Sequence, residues 1–348
     1  MNTVGTYVIC EEICDFNEQG CNSRCYLARD INLNIEIAVK DIDEENLDET
    51  SLDTYFKEAQ IAALAAHPKI LNVMFAGFDP EKEIARVVTR YLSNGSLQAY
   101  IDRNIQSGRL ISPKEVCEIC LYVAQGLYHL HTLDIVHLDI KPSNVLLDAN
   151  MQPVISDFGQ SKLLKNAIEK APSIYAKNFA PEIVQYGIVS KLTDIYQFGL
   201  LIYRLCNPIC FEEQFEQITQ TGSIEDFWGL IMNGEFPDRD NFPIHAPQKL
   251  IDICKKCLSL EPSQRYQDFF EIQNEIASIE ALPLPWYLGE NCFQGNRNGK
   301  HYVITISVKD GKFAIETKMN NRRKAAFCAH DLPAYRCRAK IKKISSEI

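Results

Sequence analysis

"HLDIKPSNVLLDANMQPVISDFG", His137 to Gly159, is the stretch whose reading decides the fold. It sets a carboxylate (Asp139), an ammonium (Lys141) and an amide (Asn144) within six residues, then a second carboxylate (Asp157) before Phe158-Gly159. "NVLLD" and "PVISD" have the length and composition of short strands around the turn "ANMQ", so the spacing predicts loop, hairpin, loop. Leu138, directly before the first aspartate, is apolar where a charged residue would be expected.

Upstream, residues 4–40 alternate like strands: "TYVICEEICDF", "RCYLARDI" and "IEIAVK". The acidic connector "DIDEENLDET" precedes a helical pattern, "YFKEAQIAALAA", with Ser51 or Asp53 as the expected cap and an end before His67-Pro68. Two more strand-like runs, "LNVMFAGFDP" and "EIARVVTRYL", lead to the break "SNGS". Beyond Gly95 the periodicity turns helical in "SLQAYIDRNIQ", "SPKEVCEICLYVAQGLYHLHTL", "DIYQFGLLIYRLC", "APQKLIDICKKCLSL" and "YQDFFEIQNEIASIE". Ser112-Pro113 with Glu115 is a helix start signal. After "LPLPW" comes "HYVITISVKDGKFAIETK", two alternating strands around Asp310-Gly311, which predicts a hairpin.

The 348 residues are 46% hydrophobic and 24% charged, enough for a large core and more than one folding unit. A net charge of −10 argues against a nucleic-acid partner. The charge is uneven: residues 283–348 hold 13 Lys+Arg against 5 Asp+Glu, a balance of +8, which leaves −18 on residues 1–282. The basic end reads either as a small β extension packed on the preceding unit or as an intramolecular docking tail. The N-terminal residues lack the pattern of a signal peptide, and no apolar run is long enough to span a membrane, so the expectation is a cytoplasmic protein. Thirteen scattered cysteines read as reduced thiols. Cys117/Cys120 and Cys254/Cys257 have metal-ligand spacing but lie on apolar helical patterns, which predicts core packing.

Phosphoryl transfer from a nucleotide needs cations on the phosphates, oxygen ligands for Mg2+, and a carboxylate for the attacking hydroxyl's proton. Asp139, Lys141 and Asn144 supply one of each, and Asp157 a second carboxylate. Lys40 ends the strand "IAVK" and could hold phosphates if Glu58, on the following helix, fixed its direction.

This set resembles the eukaryotic-type protein kinase family over roughly residues 5–280. "IAVK" is similar to the family's strand lysine motif, Glu58 to its helix glutamate, "HLDIKPSN" to its catalytic loop and "DFG" to its metal loop. "APE" at Ala180-Pro181-Glu182, "TDIYQFG" with Asp194 and "EPSQR" with Arg265 resemble later landmarks. The resemblance implies a two-lobed α+β fold: residues 1–92 as N-lobe and hinge, 93–282 as a mainly helical C-lobe, and 283–348 as an extension. It implies Asp139 as catalytic base, Lys141 on the transferring phosphoryl, and Asn144 and Asp157 on Mg2+, with Mn2+ the alternative ion. Lys40, paired to Glu58, would contact the ATP phosphates. Thr89 would be the gatekeeper, and Arg90, Tyr91 and Leu92 the hinge. Cys25, Ala38 and Leu146 would enclose the adenine. Lys141 after the aspartate is similar to Ser/Thr kinases, with protein substrates implied.

Three departures stand out. The glycine-rich phosphate loop has Glu18, Gly20 and Ser23 where the family has three glycines, so only Gly20 is left to bind phosphate by its backbone. This favours weaker nucleotide binding and keeps open a second class, a pseudokinase acting as a scaffold with or without nucleotide. Leu138 replaces an arginine that pairs with an activation-segment phosphate, so activity is expected not to depend on phosphorylation between Gly159 and Ala180. The family's substrate-facing threonine is replaced, by Tyr175 or by Ser173.

Overall fold

The computed structural model describes residues 7–15, 23–43, 49–79, 84–172 and 176–348. Five strands and one helix come first: β1 (Tyr7–Asp15), β2 (Ser23–Asp30), β3 (Ile35–Asp43), α1 (Glu49–Leu64), β4 (Val73–Asp79) and β5 (Ile84–Arg90). The strands form an antiparallel sheet in the order β1-β2-β3-β5-β4. Period-two alternation gives its two faces different jobs. Ala28, Ile37, Val39 and Val88 bury one face, while Ala38, Lys40 and their cross-strand neighbours occupy the other. Asp41 and Arg86 pair on the buried face through two 2.6 Å hydrogen bonds, an ion pair that the alternation pattern alone did not mark. Helix α1 begins at Glu49, two and four residues ahead of the expected caps Ser51 and Asp53, which fall inside it. Acidic residues in a first turn complement the positive end of the helix dipole, so they extend a helix as readily as they cap one.

A mainly helical unit follows: α2 (Leu97–Gln106), β6 (Arg109–Leu110), α3 (Pro113–Thr132), β7 (Ile135–Val136), β8 (Val145–Leu147) and β9 (Pro153–Ile155). Then come β10 (Lys162–Leu163), β11 (Glu169–Lys170), α4 (Pro181–Tyr186), β12 (Ile188–Val189) and α5 (Lys191–Cys206). It closes with α6 (Pro208–Thr221), α7 (Ile224–Asn233), α8 (Gln248–Cys257) and α9 (Phe269–Ala277). Ser112 and Glu115 start α3 as a capping box, Ser112 Oγ accepting the Glu115 N–H at 3.2 Å and Glu115 Oε2 accepting the Ser112 N–H at 3.0 Å. Helix α5 is buried nearly all round and packs on α8. A Cβ on Gly199 would lie 2.8 Å from Cys257 Cβ, so glycine lets the two helices touch. Cys254 donates its thiol to the Gly199 carbonyl at 3.2 Å. Both cysteines, and Cys117 and Cys120 of α3, are core residues whose thiols burial pushes up, Cys117 to about 12.

The last part is a second α+β assembly: β13 (Trp286–Tyr287), β14 (Cys292–Arg297), β15 (Lys300–Lys309), β16 (Lys312–Met319), β17 (Arg322–Arg323), β18 (Ala329–Leu332) and α10 (Ala334–Glu347). Asp310 and Gly311, at φ 51° and 72°, make the two-residue turn between β15 and β16, with Lys309 opposite Lys312. Strand β13 pairs with β6 of the preceding unit, Trp286 opposite Leu110. Leu288 N–H donates to Gly108 O at 3.0 Å and Lys114 N–H to Leu282 O at 3.1 Å. Helix α10, absent from the sequence expectations, lays Cys337, Ile341 and Ile344 into a core with Trp286, Phe293 and Ile304. Among the described residues no ion pair involves the 13 cations of this part; Arg338 instead donates to Phe242 O and Pro243 O. Backbone pairing and apolar burial, rather than opposite charge, join it to the rest.

Candidate functional site

Asp194, fully buried on α5, organises the loop that carries Asp139. Its carboxylate accepts the N–H of His137 at 2.9 Å and of Leu138 at 2.8 Å, and lies 2.8 Å from His131 Nε2. These bonds hold Leu138 at φ 66°, a left-handed conformation that costs a branched side chain about 1–3 kcal/mol. The Leu138 side chain is fully buried, which stabilises the strained position through apolar burial. Strands β8 and β9 pair from Val145–Ile155 to Leu147–Pro153 and return the chain to Asp157. Ser156 ties the two loops together, its N–H and Oγ both donating to Asn144 O at 2.9 and 3.0 Å.

The Asp139 carboxylate is nearly buried and receives three donors. Lys141 Nζ and Asn144 Nδ2 each lie 2.7 Å from Oδ2, and Asn178 Nδ2 lies 2.7 Å from Oδ1. Asn144 Nδ2 also donates to the Asp139 carbonyl at 2.9 Å. With its nitrogen spent, Asn144 keeps its amide oxygen for another partner. Asp157, at φ 61°, is exposed and accepts one long bond, 3.4 Å, from Gly159 N–H. Phe158 beside it is buried, 5.2 Å from the His137 ring. An amide oxygen and an exposed carboxylate are the hard oxygen ligands that Mg2+ prefers, so the donor set fits that ion.

The sheet contributes the opposite wall. Register places Cys25 beside Lys40, Ala38 between Leu27 and Thr89, and Lys40 beside Val87, so Cys25, Ala38, Lys40 and Thr89 share one face. Arg90 is exposed, Tyr91 N–H donates to Glu36 O at 3.4 Å, and Leu92 is buried. Leu146 bridges Ser96, and Leu147 N–H donates to Gly95 O at 2.9 Å, which brings the β8–β9 hairpin against the segment after Leu92. Gly20, Glu18, Ser173, Tyr175 and the Glu58 side chain lie outside the described residues.

Downstream, Glu182 and Arg265 form a buried two-pronged ion pair at 2.7 and 2.9 Å, with Thr193 Oγ1 donating to the same carboxylate at 2.9 Å. The segment after Asp157 is tied down by two short ladders, β10 on β7 and β11 on β12. Leu164 N–H donates to Asp134 O and Ala171 N–H to Gly187 O, both at 2.8 Å. Sequence reasoning missed Asn178 and Gln197. The one available signal was a buried-type amide, Gln197, inside the apolar run "DIYQFGLLIY".

Residues 19–276 match the family model described as "Protein kinase domain". The chain is 28% identical to a probable serine/threonine-protein kinase of Dictyostelium discoideum, over 66% of this chain and 14% of that protein. It is 28% identical to the serine/threonine-protein kinase PrkC of Bacillus subtilis, over 74% of this chain and 38% of that protein. It is 26% identical to a PR5-like receptor kinase of Arabidopsis thaliana, over 72% of this chain and 39% of that protein. The chain thus spans well under half the length of these relatives. No helix among the described residues is long and apolar enough to cross a membrane.

Proposed function

This chain belongs to the protein kinase family, and from that premise we propose that it transfers the γ-phosphate of ATP to Ser/Thr hydroxyls of proteins. The observation that carries the reading is the convergence of Lys141, Asn144 and Asn178 on one nearly buried carboxylate, Asp139. A scaffold has no physical need to hold such a group. Asp139 orients the attacking hydroxyl and takes its proton. Lys141, 2.7 Å from that carboxylate, is placed to neutralise charge on the phosphoryl as it moves. Asn144 through its free amide oxygen and Asp157 through its exposed carboxylate would hold Mg2+, which when bound neutralises the polyphosphate. Lys40 binds the phosphates, with Glu58 as its expected partner; Cys25, Ala38 and Leu146 enclose the adenine next to Thr89 and the hinge Arg90–Leu92. Gly20 supplies the remaining backbone phosphate contact.

The boundaries that go with this reading are residues 1–92, 93–282 and 283–348. Pairing of β13 with β6 supports a packed extension over a free docking tail. Reduced thiols at Cys10 and Cys210 support a reducing compartment such as the cytoplasm. The runner-up, a pseudokinase scaffold, is favoured by Glu18 at a phosphate-loop glycine position. Purified protein with radiolabelled γ-ATP, Mg2+ or Mn2+ and a generic protein acceptor separates the two: transfer that disappears in Asp139→Asn supports the enzyme, and no transfer by the wild type under either ion supports the scaffold.

A further inference from the structure

Asp139 is gripped from the far side by Asn178 and, through its neighbouring peptide groups, by Gln197, two amides to which the reading above gives no chemical step. Asn178, fully buried two residues before Ala180, donates its Nδ2 to Asp139 Oδ1 at 2.7 Å. The backbone carbonyl of Asn178 accepts from Gln197 Nε2 at 3.0 Å, and that same nitrogen donates to the Leu138 carbonyl at 2.8 Å. Gln197 Oε1 accepts the Ile140 N–H at 3.1 Å. One buried amide therefore holds the peptide groups on both sides of Asp139, while the other holds its carboxylate. Among the described residues Asn178 Oδ1 has no hydrogen-bond partner, so the polar contact this buried side chain makes there is the one to Asp139.

Leu138 cannot tie the catalytic loop to a phosphate on the segment that follows Asp157. We propose that Asn178 and Gln197 make that tie instead: they are positioning residues that fix the Asp139 carboxylate and lock the segment before Ala180 to the catalytic loop without phosphorylation. The inference rests on the kinase reading. A carboxylate held at both oxygens keeps the aim that proton transfer needs; released at Oδ1, it can rotate away while Lys141 and Asn144 still hold Oδ2.

The test is steady-state transfer by the full chain, with ADP affinity and thermal unfolding measured alongside. Asn178→Ala is expected to lower kcat about 10- to 100-fold while KM for ATP and the ADP Kd stay within about twofold. Asn178→Asp, of the same shape, faces the Asp139 carboxylate. Protonated, it donates an O–H to Asp139; ionised, it repels it. Its kcat relative to wild type is therefore expected to fall as pH rises, whereas Asn178→Ala stays at a constant fraction. Wild-type kcat in both variants overturns the inference while leaving the kinase reading intact. Losses that merely track the unfolded fraction in both variants also overturn it, because Asn178 is then structural only. A wild type without any transfer overturns the kinase reading and the inference together.

Discussion

Two hairpins in this chain are built in opposite ways. The β8–β9 hairpin has three-residue strands, and left-handed strain falls on non-glycine residues both in its turn, Met151 at φ 61°, and in the loops flanking it, Leu138 and Asp157 at φ 66° and 61°. Side chains from elsewhere hold the first of these loops, Asp194 and Gln197 at Leu138 and Asn178 at Asp139. The β15–β16 hairpin has eight register pairs, and at its turn the positive φ angles fall on Asp310 and Gly311. Backbone geometry alone accounts for the second. The first needs a surrounding core, and that is where strain is worth keeping, because it aims two carboxylates.

The contrast can be broken at several strengths. Asp139→Asn is expected to lower kcat by about 10²–10⁴ with little change in unfolding temperature, since the amide fits the same space; steady-state kinetics with a thermal melt reads both. Arg265→Met leaves the Glu182 carboxylate buried and unpaired, and should cost about 3–5 kcal/mol in urea unfolding. Acid acts on the junction between the two regions. Burial pushes His245, 5.0 Å from the Trp286 ring, down to about 4. Between that value and the ordinary 6.5 the unfolded chain binds the extra proton, so stability is full above pH 6.5 and is lost as pH falls toward 4. His245→Phe keeps the stacking and should flatten the pH dependence of the melting temperature in that window. Gly311→Ala should be the mildest, about 1 kcal/mol from the left-handed φ, with kcat unchanged.

What could be read in the sequence follows the same division. Asp139, Asn144 and Asp157 were visible because their types and spacing are local, and Asp310-Gly311 because a two-residue turn announces its own dihedral angles. The period-two pattern put Ala38 and Lys40 on one face before any partner strand was known. Asn178 was not visible, because its partner lies 39 residues away in the chain. Helix α10 escaped because Arg and Lys fill the positions between Cys337, Ile341 and Ile344, and the narrow apolar stripe has meaning only against the sheet it covers. The basic charge of residues 283–348 left a packed β extension and a docking tail both open, because the junction is made by strand pairing, for which charge carries no signal.

The central claim is that this kinase site is assembled by buried amides and strain rather than by a phosphate. It is tested most directly by treating the purified protein with phosphatase, verifying by mass spectrometry that residues 159–180 carry no phosphate, and measuring transfer to a peptide library. The account predicts kcat within about twofold of the untreated protein, with Ser and Thr as acceptors. Loss of transfer on dephosphorylation, restored when a hydroxyl in that segment is phosphorylated again, would contradict it.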